Sequence, residues 1–188
     1  MQPLLSNISL HFQIPPGAQE ALEQLFVQKF FKKNDLLIED GQVCRHLYFL
    51  EQGCIRGFYN IDGKDISQWF GFENDFVTSF RSFITKTASR EYIQVVEDSV
   101  LWSVSKEQLE ELLHQYPELE KMVRLIYEQY YIRLEERYSN AHFKAAAERY
   151  DDLLKNSPHI LQRIPLGYIA SYLGISAETL SRIRNKIS

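Results

Sequence analysis

The sequence predicts an α+β chain: a roll of short antiparallel strands, one long helix, and a small helical domain ending in a helix-turn-helix. Three observations predict it. Apolar residues recur with a period of about 2 from Asp35 to Val104 and about 3.6 after Ser105. Turn signals at Glu39-Asp40-Gly41, Gln52-Gly53 and Asp62-Gly63 cut the first stretch into strand-sized pieces. The last stretch, Pro165 to Ile187, reads PLGYIASYLGISAETLSRIRNKI, two short helical patterns around a glycine.

Taken in order, Pro16 to Lys33 carries Leu22, Leu25, Phe26 and Phe30 at helical spacing and is expected to be an amphipathic helix packed on the core. Six pieces then read as strands: LLIE, HLYFLE, CIRGFYN, ISQWFGF, YIQVVED and VLWSV, all rich in β-branched and aromatic residues. Their spacing fits a jelly roll or a barrel, and the pattern alone does not choose. Ser105-Lys106-Glu107-Gln108 opens a short helix that Pro117 interrupts. Glu118 to Ser139 has no Gly or Pro and reads as one helix, roughly 33 Å long at 1.5 Å per residue.

That helix shows two apolar stripes. One runs through Leu119, Val123, Ile126, Tyr130 and Leu134, the other through Met122, Leu125, Gln129 and Ile132. One stripe can lie on the roll. The other is free for a second copy of the chain, although a monomeric core helix is the alternative. Tyr127, Tyr130 and Tyr131 read as packing. Asn140-Ala141 is the expected hinge, followed by a helix from Ala141 to Lys155 with Phe143, Ala147, Tyr150 and Leu154 apolar. A loop then runs from Asn156 to Arg163.

In the final stretch, Ile169, Ala170 and Leu173 share a helical face, and Gly174 supplies the turn. Ser176 caps the second helix, and Leu180 and Ile183 turn its apolar side back onto the first. Ala177, Glu178, Ser181, Arg182, Asn185 and Lys186 are left facing outward together with the cap Ser176. Arg bridges guanine O6 and N7, Asn pairs with adenine, Glu accepts from cytosine N4, and Lys neutralises phosphate. An ordinary helical hairpin with a solvated face is the plain alternative.

The 188 residues suit one large or two small domains, and 45% hydrophobic content supports a real core. The net charge of −4 conceals an asymmetry, with 14 Lys+Arg against 21 Asp+Glu in residues 1–140 and 7 against 4 in residues 141–188. The basic end is the one with the helix-turn-helix, as a DNA footprint requires. No apolar run is long enough to span a membrane, and Met1 to Leu10 lacks a signal-peptide pattern, so a cytoplasmic protein is expected. Cys44 and Cys54 form no CxxC, and His11, His46, His114, His142 and His159 are scattered; neither a metal site nor a disulfide is expected. The sequence holds no GxSxG, HExxH or Walker loop, so no catalytic residues are expected.

The wording IASYLGISAETLSRIR resembles the DNA-reading motif of the Crp/Fnr transcription regulators, whose recognition helix reads RETVGR or similar. Glu178 and Arg182 stand where that family's base-contacting Glu and Arg stand, while Ala177 replaces its first Arg. DGQVCRHLYFLEQGCIRGFYNIDGKD resembles the first half of a cyclic-nucleotide-binding domain, with Gly41, Gly53 and Gly63 at its turn glycines. The two resemblances cover nearly the whole chain. They imply a jelly-roll-like sensor β-roll with flanking helices at 1–116, a long dimerisation helix and hinge at 117–140, and a DNA-binding helix-turn-helix domain at 141–188. The implied partners are double-stranded DNA with a palindromic operator, a second copy of the chain, and RNA polymerase. The sequence stops at Ser188, where many members continue into a wing; either the wing is naturally absent or the sequence is cut short there, and its loss is expected to cost phosphate contacts and not base readout. The other reading, from a different class, is an interaction or scaffold module with a degenerate barrel.

The family's phosphate cassette is Gly-Glu, about nine residues, then Arg-Ser. NDFVTSFRSFITKTASRE lies over it without gaps. Thr78 and Ser79 then replace Gly-Glu, and Ser89 and Arg90 replace Arg-Ser. In a strand a one-residue move of the arginine turns it to the other face. Cyclic AMP in the family's usual mode is therefore not expected, and no cofactor is assigned. Thr78, Ser79, Arg81, Ser89 and Arg90 either hold an unknown small-molecule effector or belong to a vestigial pocket.

Overall fold

The computed structural model describes residues 1–10, 13–15 and 17–187, with only the backbone of Lys186 and Ile187. Among the described residues, eight strands form two four-stranded antiparallel sheets. One has the order β1 (Val27–Phe31), β8 (Ser99–Ser105), β3 (His46–Gln52), β6 (Phe76–Val77). The other has β2 (Leu36–Ile38), β7 (Tyr92–Val95), β4 (Ile55–Ile61), β5 (Lys64–Gly71). This is the expected α+β jelly-roll-like roll. Successive side chains of β3 explain how the sheets pack. Tyr48 and Leu50 point between the sheets to meet Ile55, Ile93 and Leu101, while Leu47 and Phe49 point to an outer helical layer.

That layer is made of α1 (Gln2–Ser9), α2 (Ala18–Leu25), α4 (Lys106–Gln115) and the start of α5 (Glu120–Phe143), joined through Leu4, Leu22, Leu112, Leu119 and Met122. Ser105 opens α4 as expected. Its hydroxyl accepts from Gln108 N at 3.1 Å, and Gln108 Oε1 accepts from Ser105 N at 3.2 Å, a complete capping box. The β4–β5 hairpin turns on Asp62 (φ 51°) and Gly63 (φ 78°), both in the left-handed region as a type I′ turn requires.

The expected helix from Pro16 to Lys33 is corrected; Pro16 itself lies outside the described residues. The helix ends at Leu25, and Val27–Phe31 is an edge strand paired with β8. Phe26 and Phe30 sit four apart and mimic helical spacing, but Phe26 is buried and Phe30 is 76% exposed. The hinge also moves. The long helix runs on through Asn140 and Ala141 to Phe143, which is exposed and not a core residue of the next helix. The chain straightens at Lys144, and α6 (Ala146–Asn156) starts where Glu148 accepts from Ala145 N at 2.7 Å. The expected loop at 156–163 contains a short helix, α7 (Ile160–Arg163).

The helical domain closes with α8 (Leu166–Tyr172) and α9 (Ala177–Ile187), joined at Gly174 (φ 66°). Ile169, Ala170, Leu173 and Leu180 form their shared core with Tyr150, Ile160 and Ile164. The same cluster reaches Cys54 and Val96 of the roll, with Phe70 and Phe72 packed against it. The helical domain is therefore seated on one end of the roll and on the outer edge of β5.

Candidate functional site: a barrel slot and an exposed helix face

The cassette positions converge in space. Thr78 and Ser79 follow β6, α3 (Phe80–Thr85) comes next, and Ser89 and Arg90 precede β7. Thr78, Ser79 and Ser89 are buried. Ser79 Oγ and Ser89 Oγ lie 3.0 Å apart and hydrogen-bond each other. Ser89 Oγ also donates to Glu91 O at 2.9 Å and accepts from Glu91 N at 3.1 Å. Thr78 Oγ1 donates to His46 O at 2.9 Å and lies 3.2 Å from Cys44 Sγ. Where the cassette pattern has an acid and a base waiting for a ligand, this chain has two hydroxyls that satisfy each other.

Arg81 and Arg90 do not join them. Both are exposed, and Arg90 points away from Ser89 as neighbouring residues of an extended segment do. Among the described residues neither arginine has a salt-bridge partner.

A residue that the sequence reading passed over sits in this slot. Glu91 accepts from Trp69 Nε1 at 3.1 Å. Burial pushes its carboxyl up, against the downward pull of hydrogen bonds from Ser79 and Trp69. The phenols of Tyr59 and Tyr130 are also pushed up, first by burial and next by Glu91. The indole of Trp69 lies flat on bare backbone at Gly57, where an added Cβ would stand 2.1 Å from the ring. From above, Tyr130 of α5 stacks on Phe80 with centroids 4.0 Å apart, and Tyr127 meets the same ring edge-on. Of the three tyrosines expected to pack, Tyr127 and Tyr130 do so, and Tyr131 is corrected: it is exposed. The resulting slot is aromatic and holds the Glu91 carboxyl, while the guanidiniums of Arg81, Arg137 and Arg90 act on Tyr59 in the opposite sense.

The face of α9 is arranged in the opposite way. Ser176 Oγ accepts from Thr179 N at 3.2 Å and so caps the helix. Glu178's carboxyl is held below its usual range, chiefly by its hydrogen bond with Ser176. Leu180 is buried against α8, while Ser176, Ala177, Glu178, Ser181, Arg182 and Asn185 are exposed. Arg182 Nη2 donates to Thr179 Oγ1 at 3.1 Å. The i,i+4 ion pair with Glu178 that the spacing allows is not formed among the described residues. The side chain of Lys186 lies outside the described residues. Among the described residues no three His, Cys, Asp or Glu side chains are grouped to hold a metal, and no helix is long and apolar enough to cross a membrane.

Comparisons with known proteins bear on the first of these sites. The sequence profile of the cyclic nucleotide-binding domain matches residues 28–116, which takes in the roll, the slot and α4. No match is found among curated proteins. Among solved structures, the chain is similar to FixK2 from Bradyrhizobium japonicum, with a TM-score of 0.76 at 16% identity over 87% of this chain and 84% of that one. It is similar also to the c-di-GMP responsive global regulator CLP from Xanthomonas campestris, with a TM-score of 0.70 at 16% identity over 92% and 91% of the two chains. A third is a putative transcriptional regulator of the Crp/Fnr family from Eubacterium rectale, with a TM-score of 0.71 at 16% identity over 90% and 81%. At these identities the likeness is one of fold.

Proposed function

We propose that the chain is a one-component DNA-binding transcription regulator of Crp/Fnr type, in which α8 and α9 form the helix-turn-helix and α9 reads the major groove. The observation that carries this reading is the face of α9. A capped helix, fixed to α8 by Leu180, exposes Glu178, Ser181, Arg182 and Asn185 together. The residue types in that row, at the basic end of the chain, support base reading over an ordinary solvated face.

Selection from a randomised DNA library tests it. The wild type is expected to enrich a palindromic sequence. Arg182→Ala is expected to lose about 1–3 kcal/mol at one base pair per half-site, whereas Lys186→Ala lowers affinity for all sequences alike and flattens the salt slope by about one unit per contact. Equal loss on every sequence for Arg182→Ala would make it a backbone contact.

The chain acts as a homodimer through α5 in this reading. Tyr127, Tyr131, Leu134 and Tyr138 are exposed at spacings of four, three and four, which is the seam of a two-stranded coiled coil. This seam differs from the two stripes expected, whose members Met122 and Ile126 face the roll. Tyr131→Glu should give a monomer by light scattering.

The roll does not hold cyclic AMP in the usual mode, because Ser79 and Ser89 replace an acid and a base and already bond each other. Two lost charge-assisted hydrogen bonds correspond to roughly a hundredfold weaker binding or more. A micromolar affinity for cyclic AMP by calorimetry would overturn this. An unidentified small molecule is the remaining effector for the slot. The protein is cytoplasmic and non-enzymatic in this reading, and RNA polymerase is the further partner such a regulator implies. The closed slot also suits the second reading, an interaction module with a degenerate barrel; the DNA selection decides between them.

A further inference from the structure

The junction between the roll and the helical domain combines the apolar cluster that reaches Cys54 and Val96 with a set of charged and polar groups from distant parts of the chain. Arg163, at the end of α7, reaches three turns of the roll. Its Nη2 donates to Gly53 O at 2.7 Å and to Glu73 Oε1 at 2.7 Å, its Nη1 donates to Glu73 Oε2 at 2.7 Å, and it also pairs with Glu97. Ser171 of α8 sits on the open edge of β5. Its Oγ accepts from Ser67 N at 2.9 Å and donates to Asp65 O at 2.8 Å. Arg137 of α5 donates to the carbonyls of Ser67 and Gln68 and lies over the Tyr172 ring. Strand β5 is an edge strand of its sheet, and its outer backbone groups are taken up by α8 and α5.

Arg56 shows what kind of contact this is. It is 2% exposed, lies between the rings of Phe58 (4.0 Å) and Tyr168 (3.6 Å), and donates to Asp65 and Gln94 at 2.8 Å each. Its Nη1, like the hydroxyl of Ser67, has no hydrogen-bond partner among the described residues. A buried donor left unpaired costs stability only while the contact is closed, because water satisfies it on opening. These polar contacts act beside the apolar cluster that joins the two regions.

We infer that strand β5 through Ser171, and the turns at Gly53, Glu73 and Glu97 through Arg163, fix the angle at which α9 leaves the body of the protein and thereby set the half-site spacing the dimer accepts. Arg163 and Ser171 are positioning residues, which touch no DNA. The docked arrangement and DNA reading are compatible, because α8 meets β5 with Ser171 and Tyr172 and Arg56 of β4 with Tyr168, while the outer residues of α9 stay exposed. The inference rests on the DNA-reading role of α9.

Two full-length variants test it, Arg163→Met and Ser171→Ala, on DNA selected by the wild type from a randomised library. Each protein is titrated onto duplexes with two half-sites, with one half-site, and with two half-sites moved apart by one to three base pairs. The wild type is expected to prefer one spacing. Both variants should keep the single-half-site affinity, lose about tenfold or more on the two-half-site duplex, and tolerate several spacings, since tethered binding depends on effective concentration. An unchanged spacing preference overturns the inference. So does an equal loss on all duplexes, which would mark a merely structural role. Failure of the wild type to enrich any sequence is a different result and removes the DNA reading itself. Hydrogen exchange then still reports on the docking. The Ser67 amide should be slow in the wild type and fast in Arg163→Met, where Ser171 is intact, and equal rates would overturn the docking.

Discussion

The barrel slot and the outer face of α9 draw on the same residue types and use them in opposite ways. In the slot, Ser79 and Ser89 are buried and bonded to each other, while Arg81 and Arg90 stand outside. On α9, Ser181 and Asn185 face outward, and among the described residues Arg182 is hydrogen-bonded to the neighbouring Thr179. A hydroxyl already engaged in a buried hydrogen bond offers a ligand nothing until that bond is broken, and breaking it leaves a partner unsatisfied. An exposed polar group gives up only water. The difference teaches that residue type marks a candidate site, while the state of its donors and acceptors decides whether it has binding capacity.

The largest expected effect comes from forcing the slot back toward the cassette pattern. Ser79→Glu places a second carboxylate beside the half-buried Glu91, to which no cation is hydrogen-bonded among the described residues. A loss of about 3–5 kcal/mol of stability at pH 7 is expected, as for a buried charge without a partner. Two adjacent carboxyls share a proton at lower pH, so the loss should shrink near pH 5. Glu91→Gln in the same chain should recover part of it. Denaturant melts of the three variants check this, and full stability of Ser79→Glu at pH 7 would show that the slot is not closed.

The junction applies the same rule to charges. Arg163's hydrogen bonds hold the Glu73 carboxyl down to about 2, against an ordinary 4.5. The unfolded chain thus takes up the proton first as pH falls. The stabilisation is present in full above about pH 4.5 and drains away toward pH 2. With Glu73 about one-third exposed, screening reduces it to on the order of 1–2 kcal/mol. Arg163→Met should lose that amount at pH 7 and show a flatter acid limb in thermal melts taken between pH 7 and pH 2.5. Parallel acid limbs for the two proteins would remove Arg163 as the cause of the depressed carboxyl.

Much of this was legible in sequence because local chemistry decides it. The β3 and β4 strands, the Asp62-Gly63 turn and the Ser105 capping box each depend on residues within a few positions of one another. The outward row of α9 follows from helical spacing alone. What was missed depends on partners distant in the chain. Val27–Phe31 has no Gly or Pro separating it from α2, and only its pairing with β8 makes it a strand. Glu91 looks like a solvated charge until Trp69 covers it. Arg163 finds its acceptors 66 to 110 residues away, and Ser171 finds Ser67 104 residues away. Hydrophobic period carries no information about such pairs.

The smallest effects compare one substitution in the two regions. Ser79→Ala removes a buried hydroxyl bonded to Ser89, whose own oxygen keeps its bonds to the Glu91 backbone, and to the Glu91 carboxyl, which keeps its bond from Trp69 Nε1. The loss should be about 1 kcal/mol, the ordinary net value of a hydrogen bond. Ser181→Ala removes an exposed hydroxyl on α9 and should change stability by no more than about 0.5 kcal/mol. Its sign should favour the variant, because alanine is the better helix former and no buried partner is left behind. Affinity for selected DNA should move the other way round, with Ser79→Ala neutral and Ser181→Ala weakened. Paired melts and DNA titrations on the two variants decide the matter. If Ser181→Ala cost as much stability as Ser79→Ala, the outer face of α9 would be engaged within the protein, and the contrast between an occupied and an available site would be lost.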